Sequence, residues 1–165
     1  MKAITLLLIT ISLFIAAQQR ALTTNPSLEN KIGKHFPIEN YKNKDGKNFT
    51  SDYLKDKPTF INFWSTTCEP CIEELPYLNK LRDKFENKVK FIAITHDNKE
   101  KVDKFLIKHE LNFQHITDSL KELQSYFKLI RNPMTFIIDK NGNIQEITGT
   151  IDESKFDRIV KVLSE

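Results

Sequence analysis

Cys68 and Cys71 are the only two thiols in a chain of 165 residues, and only Glu69 and Pro70 separate them. A pair so spaced can open and close as a redox disulfide, form a fixed structural bridge, or share a metal ion. A structural bridge gains most when it closes a long loop, and this one would close a very short one. A closed zinc site wants four ligands, and His35, His96, His109 and His115 lack paired ligand spacing. Redox exchange is therefore the favoured chemistry, with the other two left open. The attacking species in such exchange is a thiolate, so the pair needs surroundings that favour negative charge. A helix N-terminus provides them through unpaired N–H groups and the positive end of its dipole.

The flanking residues supply such a place. Residues 59–64 (TFINFW) are apolar and rich in strand formers, and they run into Ser65-Thr66-Thr67-Cys68. A helix is expected to begin at the cysteines, with Leu75, Leu78, Leu81 and Phe85 on one apolar face up to about residue 86. Cys68, at its start, is then the exposed nucleophile. Cys71, almost one turn further in, is more buried and placed to attack a mixed disulfide. Further along, residues 89–95 read as a second buried strand and 99–109 as a helix with Val102, Phe105 and Leu106 inward. Residues 113–116 suggest a short strand, and 119–127 a helix carrying Leu120, Leu123 and Phe127. Strands at 135–138 and 144–148 flank an Asn141-Gly142 turn, and 152–163 form a closing helix with Asp152 as N-cap. Residues 36–48, with Asp45-Gly46, suggest a small N-terminal hairpin. His96, His109 and His115 read as surface or loop residues. Strands alternating with helices before a terminal hairpin argue for an α/β fold with a mixed sheet.

Composition narrows the function classes. With 39% hydrophobic and 28% charged residues the chain suits one globular domain, and its net charge of +3 is spread along the sequence. No basic block interleaved with aromatics suggests nucleic-acid binding. Lys2 is followed by an uncharged apolar run, 3–17 (AITLLLITISLFIAA), shorter than the roughly 20 residues that span a bilayer. It reads as a signal peptide or an uncleaved membrane anchor, and either one places the domain outside the cytoplasm, in the periplasm or on the outer face of the cytoplasmic membrane. Residues 18–34 read as a linker, and 35–165 as the folded domain.

The string Trp64-Ser65-Thr66-Thr67-Cys68-Glu69-Pro70-Cys71 resembles the Trp-x-x-x-Cys-x-Pro-Cys pattern of the thioredoxin superfamily, in particular its exported TlpA/ResA-like branch. Glu74-Leu75-Pro76 fits the Glu-x-Pro that follows the cysteines in that branch, and Pro76 is placed to kink the helix. Pro133-Met134-Thr135-Phe136-Ile137-Ile138-Asp139 resembles the family segment whose first proline is cis and lies against the cysteine pair. Thr148-Gly149-Thr150 is similar to the family's final turn. The likeness runs from about Phe36 to the C-terminus, with two departures. Thr67 stands where most relatives have a second tryptophan, and Asn132 is polar where small aliphatic residues are frequent.

This resemblance implies a thioredoxin-like fold, a mixed central sheet flanked by helices with an N-terminal β-hairpin extension. It implies a thiol-disulfide oxidoreductase with Cys68 and Cys71 as the catalytic pair, their redox-active disulfide serving in place of any cofactor or metal. Trp64, Glu69, Pro70, Asn132, Pro133 and Gly149 would meet substrate. A monomer is expected, reducing the oxidised thiols of exported proteins with electrons from a membrane thiol donor of the CcdA/DsbD type. Apocytochrome c is the client implied, because its Cys-x-x-Cys-His segment must be reduced before haem attaches. A disulfide oxidant or isomerase and a copper chaperone are the alternatives, although such chaperones usually space their cysteines by three. The Pro-x-x-x-Thr-x-x-Cys pattern of thiol peroxidases is absent around Cys68. Glu69 bears on direction, since a carboxylate beside Cys68 opposes the thiolate and so favours a reductant. Asn62 occupies the position of a buried aspartate in cytosolic thioredoxins, and an amide accepts no proton at neutral pH. Glu74, three residues after Cys71 on the same helix face, is then the candidate base, with its pKa raised if that face is buried.

Overall fold

Six consecutive residues with no charge among them, Thr59–Trp64, form the first strand, β1, and every one of them is buried. A strand buried on both faces belongs in the middle of a sheet covered on both sides. In the computed structural model, which describes residues 28–127 and 129–164, β1 is indeed central. It is followed by α1 (Glu69–Glu73), α2 (Leu75–Phe85), β2 (Lys90–Thr95), α3 (Lys99–Leu106), β3 (Gln114–Ile116), α4 (Leu120–Tyr126), β4 (Met134–Ile138), β5 (Ile144–Thr148) and α5 (Glu153–Ser164). The sheet order is β3-β2-β1-β4-β5. β2 lies parallel to β1 and to β3, whereas β4 is antiparallel to β1 and to β5. This is the thioredoxin-like arrangement, a mixed five-stranded sheet with helices against it.

Period-two alternation sends neighbouring side chains of β1 to opposite cores. Ile61 and Phe63 join Phe36, Ile38, Tyr41, Leu123, Phe127 and Phe136 on one face. Phe60 and Trp64 join Cys71, Leu78, Leu81, Val102, Phe105 and Ile159 on the other, where α1, α2, α3 and α5 contribute. Phe63 anchors the first core through edge-on ring contacts with Phe127 at 5.2 Å and Phe136 at 5.1 Å. Asn62, Glu74 and Thr135 are buried polar residues on this side of the sheet.

Local signals behave largely as their chemistry requires. Asn98 caps α3 by accepting the Lys101 N–H at 3.0 Å, and Asp152 caps α5 by accepting the Lys155 N–H at 3.1 Å. Four regions differ from the sequence expectation. The hairpin expected over 36–48 is a turn closed by one antiparallel bridge between Lys42 and Asn48. There the Asn43 side chain accepts the N–H groups of Asp45 and Lys47, taking donors a strand ladder would use, and short 3-10 turns at Ile38–Asn40 and Ser51–Leu54 flank it. The stretch read as linker is packed from Leu28 onward. Leu28 is buried, the Gly33 N–H donates to Ile144 O, and the Ile144 N–H donates to Lys34 O, so residues 33 and 34 cover part of the β5 edge. Leu120, the first residue of its helix, is exposed, while Leu123 and Phe127 are buried. α3 stops at Leu106, three residues short of the expected end. The signal or anchor segment at 1–17 and the linker as far as 27 lie outside the described residues.

Replacing Phe63 with Ala should lower the unfolding free energy by about 3–5 kcal/mol, because the cavity is walled by rigid rings that cannot collapse into it. Chemical denaturation of the two proteins checks this value.

Candidate active site

β1 ends at Trp64, and the chain turns through Ser65, Thr66 and Thr67 before the helix begins. The turn is closed by the Cys68 N–H donating to Ser65 O at 3.2 Å. Cys68 is the N-cap of α1, its backbone still extended at φ −89° and ψ 103°. Pro70 sits in the first turn, where a missing N–H leaves no helical hydrogen bond unmade. Cys68 and Cys71 are joined as a disulfide, with an S–S distance of 2.05 Å and Cα atoms 5.2 Å apart. Cys71 is 2% exposed, whereas Cys68 is half-buried. An incoming disulfide can therefore reach the sulfur of Cys68. Glu69 and Pro70 are exposed beside it.

The continuous helix suggested by the leucine spacing is broken in two at Glu74. α1 ends there, and α2 starts with Leu75 and Pro76 in its first turn. Glu74 stands at this break, in the core, where it is 1% exposed. Its Oε1 accepts the Asn62 side-chain amide at 2.8 Å, and its Oε2 accepts the Ile151 N–H at 2.7 Å. The same Asn62 amide lies 3.3 Å from Thr135 Oγ1. Burial pushes the Glu74 carboxyl up to about 7, the two hydrogen bonds and the Lys155 charge offsetting only part of the desolvation. A carboxyl three residues from Cys71 thus has a proton to exchange near neutral pH.

The Asn132–Pro133 peptide bond is cis. Pro133 immediately precedes β4, and since Met134 pairs with Phe63, it lies at the sheet end where β1 runs into the cysteine turn. A Cβ built on Gly149 would come 4.0 Å from Pro133 O, so the exposed Gly149 lies beside it, and its φ is not in the left-handed region. Asn132 is half-buried. Trp64 is not on the surface with these residues. It is 1% exposed, packed against Phe105 at 5.1 Å and His115 at 5.8 Å in the same cluster as Cys71, and so supports the pair from within.

His115, read from sequence as surface or loop, is instead largely buried on β3, with Nε2 3.0 Å from Leu111 O; burial pushes its imidazole pKa down. His109 stacks on Phe105 at 4.4 Å. Sequence reasoning overlooked Asp97. It is 5% exposed just beyond β2, and its Oδ2 accepts the Thr66 N–H at 2.7 Å. The available signal was an acid at the C-terminal end of the strand parallel to β1, where sites of α/β sheets gather. Among the described residues, no group of three or more His, Cys, Asp or Glu side chains could hold a metal ion.

A disulfide at a helix N-terminus, with one sulfur reachable and a cis proline at the same end of a thioredoxin-like sheet, defines a thiol-disulfide oxidoreductase. The chain belongs to the AhpC/TSA family, which it matches over residues 32–147. Over 137 residues it is 34% identical to the thiol-disulfide oxidoreductase ResA of Bacillus thuringiensis subsp. konkukian, covering 81% of this chain and 79% of that one. The thioredoxin-like protein YneN of Bacillus subtilis is 28% identical over 131 residues, 76% of each chain. The solution structure of a thiol:disulfide interchange protein from Bacteroides sp. shares the fold, with a TM-score of 0.67 at 20% identity over 81% of this chain and 91% of that one.

Glu74 should leave a signature in stability. Its folded pKa of about 7 lies above the ordinary 4.5, so the folded state holds the proton more tightly. The associated stability is full below pH 4.5 and is lost as pH rises through 7. Relative to Glu74→Gln, wild type should therefore lose up to about 3 kcal/mol between pH 4 and pH 8, from 1.36 kcal/mol per pKa unit. Urea melts of both proteins across that range measure it, and parallel stability curves would refute it.

Proposed function

We propose that the protein is an extracytoplasmic disulfide reductase for exported proteins, with apocytochrome c as its client and a membrane thiol donor of the CcdA/DsbD type as its electron source. The observation that carries the reading is the asymmetry of the pair: Cys68 is reachable, whereas Cys71 is buried three residues before a buried carboxyl poised near neutral pH. The exposed Glu69 beside Cys68 supports the reductive direction, because its carboxylate works against a stable thiolate. The apolar run at 3–17 supports the location, and the likeness to ResA proteins supports the client class.

In the reduced protein the Cys68 thiolate attacks a client disulfide, forming a mixed disulfide and releasing one client thiolate. Glu74 takes the Cys71 proton. The resulting Cys71 thiolate attacks Cys68 Sγ, re-forming the Cys68–Cys71 disulfide and releasing the second client thiol, to which the proton returns. Two electrons pass to the client, and two from the donor dithiol restore the pair. Asn132, Pro133 and Gly149 form the backbone edge along which a client segment lies, and Glu69 and Pro70 border the attacked sulfur.

Cys71→Ser is expected to accumulate a mixed disulfide on Cys68 in cells, whereas Cys68→Ser traps none, as mass spectrometry of adducts would reveal. Equal trapping by both variants would reverse or abolish the assigned roles. Glu74→Gln should slow resolution of a preformed mixed disulfide by about a hundredfold, the lower end of what a general base contributes. Redox equilibration should place the pair near or below the roughly −270 mV of thioredoxin rather than the roughly −120 mV of DsbA. A potential near the latter would identify an oxidant.

A further inference from the structure

Asp97 is almost fully buried, and nothing in the exchange reaction described above uses it. Its carboxylate Oδ2 accepts the Thr66 N–H at 2.7 Å, across 31 residues of sequence. Thr66 lies in the turn between β1 and Cys68, and the only backbone hydrogen bond closing that turn on itself is from the Cys68 N–H to Ser65 O. The rest of Asp97 is tied down: its N–H donates to Thr95 Oγ1 at 3.1 Å, and its carbonyl accepts the Asp118 N–H at 2.9 Å. Thr95 in turn pairs with Trp64, the last residue of β1, and its carbonyl accepts the Ser119 N–H. The carboxylate is thus fixed to the sheet from two directions and reaches out to the turn that presents the nucleophile. Lys101 Nζ at 3.9 Å and His96 Nε2 at 4.0 Å from its other oxygen are at the margin of ion pairing, so the short, charge-assisted bond to Thr66 is its dominant contact.

We infer that Asp97 is a positioning residue for the thiol-disulfide exchange: by holding the Thr66 N–H it fixes the 65–67 turn and so places Cys68 Sγ at the start of α1 in line for attack. Small misplacements of reacting groups cost large factors in rate, and a turn held by one internal bond has freedom to misplace its end. The inference rests on Cys68 being the nucleophile, and the experiment tests that separately.

In the full chain carrying Cys71→Ser, the rate at which Cys68 forms a mixed disulfide with a small aromatic disulfide is measured at pH 7, alongside the urea midpoint. An unreactive Cys71→Ser parent would overturn the nucleophile assignment, and the role of Asp97 with it. In a reactive parent, Asp97→Ala and Asp97→Ser, which both remove the acceptor, should each slow the exchange at least tenfold under conditions where the protein is folded. Asp97→Ser retains a polar group and carries the test if Asp97→Ala does not fold. Asp97→Asn keeps an acceptor oxygen of the same reach and should restore the rate to within threefold. A residue that only stabilises the fold would lower the urea midpoint and leave the rate per folded molecule unchanged. That result, or an asparagine variant no faster than the truncations, would overturn the inference.

Discussion

Glu74 sets a carboxylate between β1 and the start of α5, and its two hydrogen bonds, from the Asn62 amide and the Ile151 N–H, join three parts of the chain that lie far apart in sequence. Burying such a group is costly, and burial exceeds what the bonds return, which is why its pKa stands near 7. The helix breaks at this same residue. Pro76 in the first turn of α2 suits a fresh helix start. The short α1 is thus a one-turn platform with Cys68 as its cap, Cys71 against the core and Glu74 at its end. A buried carboxyl with a near-neutral pKa thus stands three residues from the buried Cys71.

The sheet contributes position. β1 is central, its neighbours are β2 and β4, and both converge on the turn after Trp64. Just past β2 stands Asp97, holding the Thr66 N–H; just before β4 stands the cis Pro133, with Gly149 beside it. Trp64 closes the site from below, against Phe105 and His115. The half-buried Cys68 lies where these elements meet.

Much of this was legible from local patterns. The uninterrupted apolar run of β1, the leucine spacing of α2 and the cap Asp152 are consequences of nearest-neighbour chemistry, and each element forms close to where its pattern lies. The motif residues and the resemblance they carry were enough to set the fold and the redox pair. Other features were not legible, for identifiable reasons. The hairpin over 36–48 shrinks to a single bridge around the turn at 43–47, where the Asn43 side chain takes the Lys47 N–H that a longer ladder would use. Residues 28–34 look like a linker because their polar composition hides two backbone bonds to Ile144. His115 looks like a surface residue because its burial comes from Trp64, fifty-one positions away.

What the sequence determined by itself is the chemistry on offer and the elements that carry it: two thiols at helix-start spacing, a buried strand leading into them, a glutamate and a proline just beyond. Those depend on spacing along a few residues, and spacing is written in the chain. What only the tertiary structure decided is the environment of each group. It sank Glu74 into the core, drawing its pKa toward neutrality, and brought Asp97 to the Thr66 N–H. Desolvation and hydrogen bonding depend on which distant segments pack together, as with Ile151, 77 residues from Glu74, and no local pattern encodes such a meeting.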